Sequence, residues 1–513
     1  MRPNVLFIIS DQHRADHVGF MGNDVVRTPH LDSLAERGTV FENAWVSNPV
    51  CMPNRSTIMT GRMPTSHGVI FNDRSLDWAA NTHVRRFRAA GYRTGLFGKS
   101  HLQHGMSRMA AVGNAAEPAV FDQRPDGWDR LEDHERYLDG EPDWPDDFYG
   151  FDTAELSIEH GARVAGHHYR WAIERGARPE DLAVPQTADN PKRRGGDVWW
   201  QVYEPPYGEE FHSSSFVADR TVSFIEQAAA EESPWLAWAS FPDPHHPFTP
   251  PGQWYDRHDP ADMELPATFD DPLDGAPDYL RRVQSFSVHQ MRRWVALTGA
   301  TSPEVTRAAM AANYGTIEMI DDRVGTILDT VERLGQTDNT IVVFTADHGD
   351  MMGDHGLLLK GFMHYRGVLQ VPMVIVDPRR SAGRTSSLSS SIDLGPTLLD
   401  LCDVDGYHGI QGMSLAPILD DQHATVRNTV LVEDDIDGPV RAPFPSTIRT
   451  VVTATHRYSR FDTGEDCLYE LGADDDECTE LSEVDPVQRV AMVEHLTDAL
   501  MAHADNARGA PVA

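Results

Sequence analysis

Short apolar runs at Val5 to Ile9, Thr94 to Phe97, Trp235 to Phe241, Ile341 to Thr345 and Val371 to Val376 constrain this chain more than any other feature. A brief continuous run of this kind is what a parallel strand covered on both faces requires, because neither face meets water. Helical spacing fills the stretches between. Thr28-Pro29 makes a cap and first-turn pair, Leu31, Leu34 and Ala35 share a face, and Gly38 is a natural stop. A longer helix opens at Ser302-Pro303 and keeps Met310, Tyr314, Ile317, Ile320, Val324, Ile327, Val331 and Leu334 in register up to Gly335. Strands alternating with helices predict an α/β sandwich: a large mixed, mostly parallel sheet flanked by helices.

At 513 residues the chain exceeds one ordinary core. From about residue 426 the pattern changes to short β runs at Thr429 to Val432, Ile448 to Val452 and Arg457 to Phe461, then an amphipathic helix. The expected organisation is therefore a catalytic α/β unit over 1–425 and a smaller α+β unit, antiparallel sheet and helix, over 426–513. Residues 106–208, rich in Asp, Pro, Trp and Tyr, read as insertions over one end of the main sheet, where specificity often resides. Trp199, Trp200 and Tyr203 in that stretch suit either an aromatic subsite or simple packing.

Charge and cysteine usage narrow the partners and the compartment. With 44 basic against 79 acidic residues the net charge is −35, which disfavours a nucleic-acid or anionic-membrane partner. An anionic substrate would need a local basic pocket. The four cysteines, at 51, 402, 467 and 478, form no CxxC pair, and the first apolar run is too short to span a bilayer and lacks a cleavage site. These features lead to the expectation of a cytoplasmic protein.

In open α/β sheets functional groups collect where strands end at their carboxyl edge. Here the first run delivers Asp11-Gln12, the second Lys99 and His101, the third Asp243 and His245, and the fourth Asp347-His348. Any one of these alone would be an ordinary cap or loop contact. Together, carboxylates, an amide and imidazoles suit a divalent cation, and lysine with histidine suits a tetrahedral oxyanion beside it. Between the first two runs lies Asn48-Pro49-Val50-Cys51-Met52-Pro53-Asn54-Arg55, where Pro53 can open a helix that Gly61 closes. Cys51 then sits at a helix N-terminus, where backbone donors favour negative charge, although an isolated cysteine is more often plain packing.

Cys51-Met52-Pro53-Asn54-Arg55 matches the Cys-x-Pro-x-Arg signature of the formylglycine-dependent sulfatases, and the chain resembles that family and its phosphonate monoester hydrolase relatives in the alkaline phosphatase superfamily. Further matches are Gly98-Lys99-Ser100-His101, Pro244-His245-His246-Pro247, Ala346-Asp347-His348-Gly349, Gly353-Asp354-His355-Gly356 with Lys360, Asp393-Leu394-Gly395-Pro396-Thr397 and Leu468-Tyr469-Glu470-Leu471. The resemblance implies an alkaline-phosphatase-like sandwich and a cysteine oxidised to formylglycine by a dedicated formylglycine-generating enzyme. It implies a metal site of Asp11, Gln12, Asp347, His348 and the modified Cys51, with Arg55 holding the nucleophile. Asn72, Lys99, His101, His245 and Lys360 would contact the ester oxygens or move protons.

By the same resemblance, the hydrated aldehyde attacks sulfur in line. Asp347 assists deprotonation, Lys99, Lys360 and the cation stabilise charge, His245 protonates the leaving alcohol and His101 helps the sulfo-enzyme collapse. The expected substrate is a small sulfate monoester, and the expected assembly a homo-oligomer. The pairs Asp11-Gln12 and Asp347-His348 resemble the phosphonate hydrolases and favour manganese, with iron, zinc or calcium as alternatives, whereas Lys99 and His101 resemble sulfatases. The competing readings are a phosphonate monoester or phosphodiester hydrolase, and a non-catalytic metal- or anion-binding relative. Mass spectrometry of the Cys51 peptide, from protein made with a competent converting enzyme, should show the aldehyde; an unconverted thiol sinks the catalytic reading.

Overall fold

The first apolar run forms β1, Asn4–Ser10, at the centre of an eight-stranded sheet. Its other strands are β2 (Thr39–Phe41), β3 (Arg93–Gly98), β4 (Thr153–Leu156), β5 (Trp235–Phe241), β6 (Thr340–Ala346), β7 (Met373–Val376) and β8 (Gly383–Thr385), in the order β8-β2-β7-β6-β1-β5-β3-β4. Only β7 runs against its neighbours β6 and β2. The sheet is therefore mostly parallel, as its sequence pattern predicts. This computed structural model describes residues 2–103 except 73, 127–182 except 139, 141 and 143, 194–195, 198–285, 299–436, and 445–504 except 473 and 475.

Alternation along the central strand builds a core on each face. Val5, Phe7 and Ile9 point into one, where Phe7 stacks on Trp238 at 3.9 Å beneath helices Cys51–Thr60, His83–Ala89 and Leu394–Leu401. Leu6 and Ile8 point into the other, under helices Ser213–Ala230 and Pro303–Arg333. Ser302 caps the latter, its side chain accepting from Val305 N, and the chain leaves it through Gly335 at φ 68°. Gly38 also ends its helix, but in extended backbone at φ −123°; a Cβ there would lie 2.7 Å from the Ile375 carbonyl oxygen, so close approach to β7 explains the glycine.

Two expectations need adjusting. Thr153–Leu156, inside the stretch read as insertions, is an edge strand of the main sheet. It is half-buried and short, so its pattern is too weak to read. The helix carrying Cys51 begins at Cys51 itself, two residues before Pro53; all ten of its residues are buried, and Gly61 closes it at φ 59°. Much of 106–208, namely 106–126, 139, 141, 143, 183–193 and 196–197, lies outside the described residues.

Beyond residue 426 four antiparallel strands follow, Val430–Asp435, Thr447–Val452, His456–Phe461 and Asp466–Glu470, paired in chain order. Helix Pro486–Ala502 packs Met492, Leu496 and Ala499 against Leu431, Val451, Tyr458 and Leu468. Among the described residues no helix is long and apolar enough to cross a membrane.

Gly98 ends β3 at φ 107°, and a Cβ there would lie 1.9 Å from the Ser240 carbonyl oxygen, which accepts the Lys99 N–H. Gly98→Ala should therefore cost on the order of 3 kcal/mol or more and displace Lys99. A wild-type unfolding midpoint in that variant would refute this account of the strand end.

Candidate active site

The carboxyl ends of adjacent strands are laced together before any side chain is considered. Asp347 N donates to the Ser10 carbonyl (3.2 Å), Asp11 N to the Asp243 carbonyl (3.1 Å) and Lys99 N to the Ser240 carbonyl (2.9 Å). Asp11, Lys99, Asp243 and Asp347 are thereby held on one rim. Gln12, at φ 57°, turns the chain so that its N–H donates to Asp347 Oδ1 (3.1 Å). Each of these side chains is buried.

Arg55 stands behind the rim. Its Nε donates to Asp347 Oδ2 (2.7 Å), Nη2 to Asp11 Oδ2 (3.1 Å), and Nη1 to Ser240 Oγ (2.8 Å) and the Lys99 carbonyl (3.0 Å). One turn earlier on the same helix, Cys51 Sγ faces His348 Nε2 at 3.1 Å, Lys360 Nζ at 3.6 Å and Asp11 Oδ1 at 3.7 Å. His348 Nδ1 is held by the Gly349 carbonyl (2.9 Å), which orients Nε2 toward the thiol. Donor atoms of Asp11, Cys51, Asp347 and His348 all lie within 4.8 Å of one another.

Cations surround this group. Lys99 Nζ pairs with Asp11 Oδ2, and Lys360 Nζ reaches Gln12 Oε1 (2.6 Å) and His245 Nε2. Burial alone would raise the Asp11 pKa, but Lys99, Arg55 and Lys360 together hold it well below the usual carboxylate range. Burial and Asp11 push the Cys51 thiol up, whereas Lys360, Lys99 and His348 draw it below its ordinary value. Burial, followed by His160 and Lys360, keeps the His245 ring neutral to well below the usual histidine range.

The remaining expected residues sit around this centre. Gln12 presents Oε1 to Lys360 and to His246 Nδ1 (3.2 Å), while its Nε2 donates to Asp350. Asn72 accepts the Met52 N–H (3.0 Å), so its oxygen secures the first turn of the Cys51 helix. His101, at φ 53°, is fixed through its backbone N–H to Glu132 (2.9 Å), and its Nδ1 is buried without a hydrogen-bond partner among the described residues.

Three residues escaped sequence reasoning. His160 stacks on His245 at 3.9 Å and contacts Lys99 Nζ through Nε2 (2.6 Å); no apolar run marks it. Glu132 accepts the N–H groups of His101, Leu102 and Gln103. Asp350 accepts from Met352 N and Leu359 N, which closes the loop ending at Lys360. Asp350 follows Asp347-His348-Gly349 in sequence, and that adjacency was the one available signal.

An alkaline-phosphatase-like hydrolase is the class that this sheet and rim define, and the comparisons give the family. The sulfatase family model matches residues 3–404, and the N-sulphoglucosamine sulphohydrolase C-terminal model matches 353–504. The chain belongs to the sulfatase family, and it is a hydrolase of the alkaline phosphatase superfamily. An arylsulfatase of Clostridium perfringens is 27% identical over 489 residues, covering 94% of this chain and 90% of that protein. A multifunctional alkaline phosphatase superfamily protein of Trinickia caryophylli is 27% identical, over 82% of this chain and 77% of its own. The crystal structure of the phosphonate monoester hydrolase of Agrobacterium radiobacter superposes with a TM-score of 0.78 at 25% identity, covering 98% of this chain and 96% of that one.

Asp350→Ala would leave Gln12 Nε2, Met352 N and Leu359 N without their acceptor. At roughly 1–3 kcal/mol for each buried donor, the variant should lose about 3 kcal/mol or more of stability, read from its denaturant midpoint. An unchanged midpoint would mean that other contacts close the loop.

Proposed function

We propose that residue 51 acts as a formylglycine and that the protein hydrolyses small sulfate monoesters with a divalent cation. The observation that carries this reading is the placement of Cys51 Sγ, which lies within 3.7 Å of a carboxylate oxygen, an imidazole nitrogen and a lysine ammonium. The oxygen and nitrogen donors of Asp11, Asp347 and His348, with Gln12 beside them, fit a cation, and the imidazole favours manganese, iron or zinc over calcium. Such a cation would make a hydroxyl of residue 51 more acidic and offset charge on the ester.

Every other step belongs to this chain's own groups. One hydroxyl of the hydrated aldehyde loses its proton, with help from Asp347, and attacks sulfur. The ester S–O bond breaks, and protonated His245, whose Nε2 lies beside Lys360 Nζ, delivers a proton to the departing alcohol. Lys99 and Lys360 stabilise the equatorial oxygens. Loss of the second hydroxyl's proton, taken by His101, then re-forms the aldehyde as its bond to the sulfate oxygen breaks, releasing sulfate. Water rehydrates the aldehyde. In this reading Asn72 acts by fixing the first turn of the nucleophile helix.

Sulfate is favoured by Lys99 and His101 on the rim. A phosphonate monoester or phosphodiester activity is the second reading, supported by the nitrogen-containing donor set and the likeness to a phosphonate monoester hydrolase. Proposed with the function are maturation by a formylglycine-generating enzyme, a cytoplasmic location, a homo-oligomer, and a division into units 1–425 and 426–513.

Metal-replete protein with verified formylglycine should show a higher kcat/KM for an aryl sulfate than for matched phenylphosphonate monoester and phosphodiester substrates. Cys51→Ala should abolish turnover of all three. A phosphorus ester in the lead would reassign the protein to the second reading. His245→Ala should lower kcat by about 10²–10⁴ for alkyl sulfates and far less for nitrophenyl sulfate, whose leaving group needs no proton. Equal losses on both would remove His245 as the acid.

A further inference from the structure

A second group of ligating side chains lies beyond the loop that ends at Lys360. Asp271, His355 and Cys478 offer an oxygen, a nitrogen and a sulfur that all lie within 4.8 Å of one another. They come from three distant segments. Asp271 follows the turn in which Asp271 N donates to the Thr268 carbonyl (2.9 Å), and His355 occupies the tip of the loop closed by Asp350. Cys478 belongs to the connection after strand Asp466–Glu470, where its N–H donates to Asp474 Oδ1 (3.2 Å).

We propose that Asp271, His355 and Cys478 form a second metal site, which takes a thiophilic divalent cation such as zinc and clips the C-terminal connection to the Lys360 loop. Oxygen, imidazole and thiolate together are a zinc donor set, and three protein ligands leave a fourth position for water. His355 is built for the role: it is 2% exposed, holds a left-handed backbone at φ 53°, and its ring lies 4.1 Å from that of Tyr365. His355 also lines a cavity of about 440 Å³, shared with Arg14, Asp16, Asp354, Arg366 and Glu477.

Local charge points the same way. The carboxylates of Asp271, Asp474, Asp476 and Asp354 all act on the Cys478 sulfur and oppose a thiolate there. A cation between them relieves that repulsion and stabilises the thiolate. His355 Nδ1 now contacts Asp271 Oδ2 at 2.6 Å. Joint ligation opens that contact to about 3.3 Å, the separation of two ligands on one tetrahedral ion with bonds of about 2.0 Å. The proposal does not rest on the reaction proposed above: its three donors and those of the Cys51 centre form separate groups among the described residues.

The test is metal content and the state of one thiol, both separable from turnover. Full-length wild type and Cys478→Ser are equilibrated with zinc, freed of loose metal by gel filtration and analysed for zinc per chain. The wild type should retain one additional zinc, and zinc should protect Cys478 from alkylation until a chelator is added. Cobalt loaded into a Cys51→Ala background should give a thiolate charge-transfer band that disappears when Cys478→Ser is added. His355→Gln should lose the same ion, but Cys478→Ser carries the test because its side chain is accessible and near-isosteric. Equal zinc content in wild type and Cys478→Ser, with no Cys478-dependent band or protection, overturns the proposal.

Discussion

The guanidinium of Arg55, buried between Asp11 and Asp347, is the interaction on which the site depends. Two carboxylates converging at the end of adjacent parallel strands repel each other, and burial deprives them of water. Removing one partner from such a buried set leaves an uncompensated charge, at a cost of about 3–5 kcal/mol. Arg55 meets the problem with planar geometry: Nε and Nη2 reach one carboxylate each, while Nη1 anchors to Ser240 and to the Lys99 carbonyl. A lysine would supply the charge but not four directed contacts. Because Arg55 lies one turn after Cys51, the same contacts also set the distance between nucleophile and rim.

Lys99 and Lys360 complete the balance. Within the ring of Asp11, Asp347, Arg55, Lys99 and Lys360, cations outnumber carboxylates, although the chain as a whole carries −35. The acidic surface and the anion-directed centre are therefore separate features. Low dielectric makes the local cations effective at short range, while solvent screens the distant carboxylates. Composition alone gives no sight of this inversion; the strand-end residues do.

What could be read from sequence follows from how locally each feature is specified. The central strands were legible because burial on both faces demands an uninterrupted apolar run, and Val5 to Ile9 has one. Thr39–Phe41, Thr153–Leu156 and Gly383–Thr385 were not, because they are short edge or near-edge strands defined by their neighbours' free hydrogen-bonding groups. The same distinction holds in the site. Asp11, Lys99 and Asp347 sit directly after strands and Cys51 within a short motif, whereas His160 and Glu132 arrive through tertiary contacts with Lys99 and with the N–H groups after Ser100. Asn72 shows the limit of motif matching. The resemblance implied contact with the ester oxygens or a part in proton movement, whereas the side-chain oxygen accepts the Met52 N–H, a tertiary contact that no local pattern marks.

Strand Val430–Asp435 explains why the C-terminal sheet packs where it does. It is buried throughout, and three of its six residues are acidic, an unusual composition for such a strand. Each acid has a task, and those of Glu433 and Asp434 lie beside the site. Glu433 N donates to the Ser47 carbonyl (3.0 Å), and the Glu433 carboxylate receives Thr65 N and Thr65 Oγ1, so this residue brackets the Cys51 helix from both ends. Asp434 accepts from Phe362 N (3.1 Å) and contacts His364 Nε2 (3.3 Å), just beyond Lys360. Asp435 accepts from Arg449 and Thr447 and ties the strand to its own sheet. One strand thus fixes the nucleophile helix and the Lys360 loop relative to each other. Cys51 Sγ and Lys360 Nζ come from segments about three hundred residues apart, yet face each other at 3.6 Å. The buried acids are the cost of that alignment, since apolar residues in their place would pack but could not hold two polar loops in register.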